Sequence, residues 1–285
     1  MKLKHLAKIA ITAIFGTALI SGCGTNSSNA SQNTSNASSG AKQETVLTVG
    51  ASPVPHAEIL NYVKPILAKE GIDLHVVVFN DYIQPNRALA AGQLDANFFQ
   101  HVPYLNDFNK KNGTDLVPTV AVHFEPLGLY PGKSTSLKNI PDGATIAVPN
   151  DTTNEARALL LLQSAGLIKV KNPQSLSETK NDIVWNPHHI QIQELDAAAI
   201  PRVARDMNFS VINGNYALEA NFTPKDALAI EKAGSLAAKT FANVIVVRKG
   251  DQNNPAIVAL DKAITSPEVK QYIEQHYQGS VVPVF

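Results

Sequence analysis

The stretch Leu74–Phe79 is almost entirely apolar and β-branched, and it lies between two helix-like runs. A strand that is apolar on both faces has to be covered on both, which points to a buried parallel strand of an α/β fold. The neighbouring segments keep the same beat. Val46–Ala51 reads as a strand that breaks at Ser52-Pro53-Val54-Pro55, and a helix follows from about His56 to Lys69, with a kink at Pro65 and a stop at Gly71. A helical run at Pro85–Ala91 ends at Gly92, Ala96–Phe99 reads as a short strand, and Pro103–Lys111 as a helix stopped by Asn112-Gly113. Strands are expected at Leu116–Phe124 and Leu127–Tyr130.

Pro131-Gly132 punctuates the chain, and a second βα series begins. Ala144–Val148 is a strand, Asn150–Asn154 a capping cluster, and Ala156–Ala165 a leucine-rich helix. Lys169–His189 is polar and irregular. Gln191–Leu195 and Phe209–Ile212 are strands around a helix at Ala198–Asp206, and Val244–Val247 is a late strand followed by helices near Asn254–Thr265 and Pro267–Tyr277. Two βα series with a break near Gly132 predict two α/β lobes facing a cleft, the second lobe being an insertion from which the chain returns near Asn243. The expected limits are 44–132 with 241–285 for the first lobe and 133–240 for the second. No short repeat argues for a solenoid.

The segment Asp95-Ala-Asn-Phe-Phe-Gln-His-Val-Pro-Tyr-Leu105 carries the densest chemistry. Pro103 suits a first helical turn, so Phe99, Gln100, His101 and Tyr104 fall where a strand hands over to a helix. In open α/β sheets that edge binds ligands. Aromatic faces, an imidazole and an amide together suit a small amphipathic molecule. Arg157 falls in the first turn of the leucine-rich helix, where free N–H groups and the positive dipole end sit, a place suited to a carboxylate.

Lys2, Lys4 and Lys8 precede an apolar run, Ile9–Ile20, too short for a comfortable membrane span. It ends in Ile20-Ser21-Gly22-Cys23, and Cys23 is the sole cysteine, so no intramolecular disulfide can form. Thr25–Lys42 is Ser, Asn, Ala and Gly without periodicity, a flexible tether with a reach of roughly 20–25 Å. The whole chain has a formal net charge of +0; without the three N-terminal lysines, 21 basic side chains face 24 acidic ones. That balance argues against nucleic acid as a partner.

The N-terminal block resembles a bacterial lipobox, which implies a signal peptide over 1–22, cleavage before Cys23, lipid (palmitate among it) on Cys23, and a lipidated linker over 23–43. The blocks Phe79-Asn80-Asp81-Tyr82, Asp95–Leu105, Val148–Asn154 with Arg157–Gln163, Val211-Ile-Asn213 with Tyr216-Ala217, and Asn243 before Val244–Val247 together resemble the methionine-binding lipoproteins of ABC importers, the NlpA family. Thr152 stands where proline is common in that family. The resemblance spans about Val46 to the end. It implies a two-lobed, periplasmic-binding-protein-like α/β fold closing on a free amino acid, with no cofactor. It further implies that Tyr82, Phe99, His101 and Tyr104 line the first-lobe side, that Asn154, Arg157 and Asn213 face them, and that Asn243 sits at the crossover. In chemical terms, Arg157 would take the carboxylate, Asn213 and Asn243 would offer oxygens to the ammonium, and Tyr82, Phe99 and Tyr104 would box a thioether. The implied partners are methionine, L-methionine first, and the permease and ATPase subunits of the importer. The implied location is the extracytoplasmic face of the cell membrane, held there by lipid.

Other readings remain open at this point: a receptor for D-methionine or a methionine-containing dipeptide, a surface adhesin, a metal-capture protein, or a surface enzyme. His56, His101, His123, His188 and His189 are scattered rather than spaced as a zinc motif, and neither Gly-x-Ser-x-Gly nor His-Glu-x-x-His occurs. The expectation is a binding protein without catalytic residues or a metal.

Overall fold

The computed structural model describes residues 44–232 and 239–285. The expected signal peptide, Cys23 and the expected tether lie outside the described residues.

Strand β1 (Thr45–Ala51) pairs in parallel with β2 (Ile72–Val78) and β3 (Ala96–His101), joined by helices α1 (Glu58–Lys69) and α2 (Gln84–Ala90). Helix α3 (Val102–Asn112) leads to β4 (Leu116–Phe124). The chain then enters a different sheet. There β5 (Gly128–Pro131) lies antiparallel to β10 (Phe209–Ile212), and β10 is parallel to β6 (Thr145–Pro149), which is parallel to β9 (Gln191–Leu195). Helix α4 (Thr152–Ser164) covers this sheet, a small hairpin of β7 (Lys169–Val170) and β8 (Ile183–Trp185) stands apart, and α5 (Ile200–Val203) and α6 (Gly214–Glu219) flank β10. After β11 (Ala229–Ile230) the chain returns through β12 (Asn243–Arg248) and ends with α7 (Pro255–Ile264), α8 (Pro267–Tyr277) and β13 (Val282–Pro283). The result is a six-stranded sheet of order β13-β4-β12-β3-β1-β2 and a five-stranded sheet of order β11-β5-β10-β6-β9.

Each sheet has its own core. Leu47, Val49, Leu74 and Phe98 pack on Leu60, Val63, Leu260 and Ile273 in the first. Ile146, Val148, Phe209 and Val211 pack on Ala158, Leu159 and Leu162 in the second. These two bodies are the two α/β lobes expected from the sequence.

Several local expectations need correction. β2 is parallel, but it forms the edge of its sheet, so Val77 and Val78 are exposed rather than buried. The break at Pro131-Gly132 is not where the chain changes sheets, because β5 already pairs with β10. The chain crosses in the short connection between Phe124 and Gly128. Gly132 answers a different need: a Cβ there would lie 2.3 Å from the carbonyl oxygens of Ala204 and Met207. Helix α4 begins at Thr152 with Asp151 as its cap, its carboxylate accepting from the Asn154 N–H at 3.0 Å. Arg157 therefore lies beyond the first turn and has no share in the free N–H groups there. Helix α6 and the β7–β8 hairpin were not anticipated.

Candidate functional site

A small cavity opens where the carboxyl ends of β3 and β10 meet the start of α4 and of β12. Its wall contains Tyr82, Phe99, His101, Tyr104, Asn154, Arg157, Asn213 and Asn243, together with Gln100, Glu125, Gly214 and Asn215. Every ligand-site residue expected from the sequence borders this one space.

The strand end is rigidly built. Gln100 Nε2 donates to Asn86 Oδ1 at 2.6 Å and to Asn97 Oδ1 at 3.0 Å, and Asn86 Nδ2 returns a bond to Gln100 Oε1 at 2.8 Å. A closed amide network of this kind leaves the buried polar groups satisfied and fixes the register of β3. On the opposite strand face Phe99 joins an aromatic wall. Tyr82 lies 5.9 Å from both Phe99 and Tyr104, centroid to centroid, and 5.0 Å from Tyr216. Tyr104 donates its hydroxyl to the Tyr82 carbonyl at 2.8 Å. Burial pushes the phenols of Tyr82 and Tyr104 upward, so they are neutral donors.

His101 caps α3. Its Nδ1 accepts from the Tyr104 N–H at 3.2 Å, which leaves the proton on Nε2 facing Asn154 Oδ1 at 3.2 Å. Burial, reinforced by the Arg157 charge, pushes its pKa down to about 3. The ring is neutral at physiological pH. Asn154 Oδ1 also accepts from Asn213 Nδ2 at 3.0 Å, while the Asn154 amide group bonds Asp151. This orients Asn213 with Oδ1 turned away from its partner. Among the described residues, Asn213 Oδ1 and Asn215 Nδ2 are buried without a hydrogen-bond partner. A buried acceptor and a buried donor of this kind each cost roughly 1–3 kcal/mol until something pairs with them.

Arg157 is buried and held on several sides. Nε donates to Glu231 Oε1 at 2.8 Å, Nη2 reaches Glu231 Oε2, and Nη2 also donates to the Glu125 carbonyl at 2.9 Å. Phe241 stacks at 4.4 Å from the guanidinium carbon. These bonds draw on Nε and Nη2, whereas a guanidinium also carries two N–H groups on Nη1.

Beneath the cavity, residues far apart in sequence converge. His123 Nε2 lies 2.7 Å and His56 Nε2 3.3 Å from Glu125 Oε1, and His56 Nε2 lies 3.0 Å from Asn243 Oδ1. Their donor atoms lie within 4.8 Å of one another, a set whose composition could ligate a metal ion. Sequence spacing hid this cluster, because His56 follows β1, His123 ends β4 and Glu125 sits in the crossing between sheets. Nothing in the chain's motifs flagged Glu125; Gln100 was expected at the strand end but not among the ligand residues, and the run Ile212-Asn213-Gly214-Asn215 was the one available signal for Gly214 and Asn215.

Residues 47–285 match the model of the family described as NlpA lipoprotein. The chain belongs to the NlpA lipoprotein family. The methionine-binding lipoprotein MetQ of Bacillus subtilis is 38% identical over 99% of this chain and 99% of its own length. Among solved structures, a nutrient-binding protein from Burkholderia cenocepacia bound to methionine is 45% identical with a TM-score of 0.80, covering 84% of this chain and all (100%) of that one. The lipoprotein Tp32 of Treponema pallidum is 38% identical with a TM-score of 0.80, covering 85% and 100%. These likenesses place the two-lobed architecture of the family on this chain. Among the described residues no helix is long and apolar enough to cross a membrane.

Proposed function

We propose that this NlpA lipoprotein is the solute-binding component of an ABC importer, that it takes free methionine, and that it hands it to the permease at the extracytoplasmic face of the membrane. One observation carries the reading: a cavity between the lobes brings together a guanidinium, unpaired amide groups and an aromatic wall. Arg157 receives the carboxylate. Asn213 Oδ1, an acceptor in want of a donor, takes the ammonium with Asn243. Tyr82, Phe99 and Tyr104 enclose the side chain, where contacts between sulfur and an aromatic ring contribute about 0.3–1.5 kcal/mol each. The relatives named for methionine and the neighbour bound to it support the ligand. A receptor of this kind performs no reaction and needs no cofactor, and lipid on Cys23 with the tether behind it keeps the body near the permease and its ATPase.

The lobes are drawn together across the cavity. The Tyr82 hydroxyl bonds Asn215, His101 meets Asn154, and Lys111 Nζ donates to Thr152 Oγ1 at 2.7 Å. A receptor that closes on its ligand uses contacts of this sort.

Calorimetry of the mature protein against the twenty amino acids tests the proposal. Tight binding of methionine, L- or D-, and weak binding of the others is the expected result. Absence of methionine binding overturns it.

A further inference from the structure

Glu125 is a buried carboxylate in the cavity wall that the roles above leave unused. Its surroundings are specific. His123 and His56 both aim Nε2 at Oε1, and His56 also aims it at Asn243 Oδ1. Carboxylate and amide oxygens only accept, so Nε2 carries the proton on both rings. Their Nδ1 atoms are buried and, among the described residues, unpartnered, with the Phe98 ring packed edge-on at 4.7 and 5.3 Å from the two imidazoles. The Asn215 backbone N–H also bonds the Glu125 carboxylate. At Gly214 a Cβ would lie 3.1 Å from Glu125 Oε2, so the glycine lets the main chain pass against that oxygen.

The charges at the cavity do not balance. The Arg157 cation is already paired with the Glu231 carboxylate. Glu125 is a second carboxylate, buried in the wall of the same cavity. A desolvated carboxylate is costly until a cation meets it. The unpaired Asn213 Oδ1 lines the same cavity and can share the donors of one ammonium group.

We propose that Glu125 is the counter-charge for the ligand's protonated amine, and that His56 and His123, which stand behind it, are positioning residues that hold its carboxylate toward the cavity. The inference rests on the amino-acid receptor reading and deepens it: the trio makes the site select a free α-ammonium over desamino and N-acylated analogues.

The test is a comparison of ligands and variants by calorimetry on the mature protein. Methionine and its desamino analogue 4-(methylthio)butanoate are titrated into wild type, Glu125→Gln, His123→Leu and His123→Gln. Glu125→Gln is isosteric, and circular dichroism checks that each variant folds. Wild type is expected to favour methionine strongly, and Glu125→Gln to cut that preference by about 30-fold or more, as loss of one partner from a buried charge pair does. His123→Leu is expected to shift the preference in the same direction, and His123→Gln, which keeps a side-chain N–H donor, to restore most of it. A preference unmoved by Glu125→Gln, or equal losses for both ligands, overturns the role of Glu125 while leaving the receptor reading intact. A shift with Glu125→Gln that His123→Leu does not share overturns the positioning role of His123. A wild-type protein that ignores methionine overturns the receptor reading, and this inference with it.

Discussion

Glu231 grips the guanidinium of Arg157 by its Nε and Nη2 atoms, and the Leu127 N–H holds the same carboxylate at 2.8 Å. Both partners are nearly inaccessible to water. This pair has two consequences. It aligns the guanidinium, and it gives Arg157 a structural part beside the ligand role proposed for it. Replacing Arg157 with Met alone leaves Glu231 as an unpaired buried anion and is expected to lower unfolding free energy by about 3–5 kcal/mol. The double replacement Arg157→Met with Glu231→Gln is expected to recover most of that stability in urea titrations. It should not recover methionine affinity, because the carboxylate's partner is still gone. Recovery of both would show that Arg157 supports the fold and does not touch the ligand.

The neutral state of His101 has a measurable signature in acid. Its folded pKa, near 3, lies below the ordinary value of 6.5. Above pH 6.5 the ring is neutral in both states and contributes no slope. Between 6.5 and about 3 the unfolded chain takes up a proton that the native chain does not, so stability is lost as pH falls, by about 1.4 kcal/mol per pH unit. His56 and His123 act in the same direction. Glu125 and Asp151 act in the opposite direction, since burial raises their pKa and the native state takes the proton first. A difference measurement isolates His101: the stability of wild type minus that of His101→Asn should decline from pH 6.5 to pH 4. A difference constant across that range would mean that the folded ring titrates normally.

What the sequence disclosed depended on how local each cause was. The β3–α3 junction was readable because an apolar run, Gln100, His101 and Pro103 are adjacent, and the same adjacency located Phe99, Gln100, His101 and Tyr104 in the cavity wall. The edge position of β2 was not, since Leu74–Phe79 has the same composition whether or not a strand lies on its outer side. The start of α4 was misplaced because Thr152, Thr153 and Asn154 look like loop residues until Asp151 is recognised as the cap. Glu125 was invisible for a stronger reason: its meaning comes from His56 and Asn243, whose contact spans 187 residues.

Gly214 offers a purely steric test of the cavity wall. Its backbone is not in the left-handed region, so conformational freedom is not the issue. An added Cβ would sit 2.6 Å from Glu125 Cβ and 3.4 Å from Glu125 Cα, and main chain cannot yield as a flexible side-chain tip can. Gly214→Ala is expected to cost about 1–3 kcal/mol of stability through overpacking. Methionine affinity should fall with it as Glu125 is displaced. A variant with wild-type urea midpoint and affinity would mean that the crossing segment and α6 part without cost.

Tyr82 separates closure from side-chain recognition. Its ring belongs to the aromatic wall, while its hydroxyl reaches across to Asn215 on the other lobe. Tyr82→Phe keeps the ring and removes the bridge, leaving Asn215 Oδ1 without that donor. Loss of one hydrogen bond of this kind is worth about 0.5–1.5 kcal/mol, so methionine should bind several-fold to about tenfold more weakly, chiefly through faster release. Phe99→Ala does the reverse: it keeps the bridge and opens the wall. Removing a buried aromatic ring is expected to weaken methionine while affecting alanine, whose side chain reaches the wall poorly, far less. Stopped-flow release rates and a methionine-to-alanine affinity ratio read the two effects separately. If Tyr82→Phe left the release rate unchanged, the bridge to Asn215 would not hold the lobes closed. If Phe99→Ala left the ratio unchanged, the aromatic wall would not be where the ligand's side chain lies.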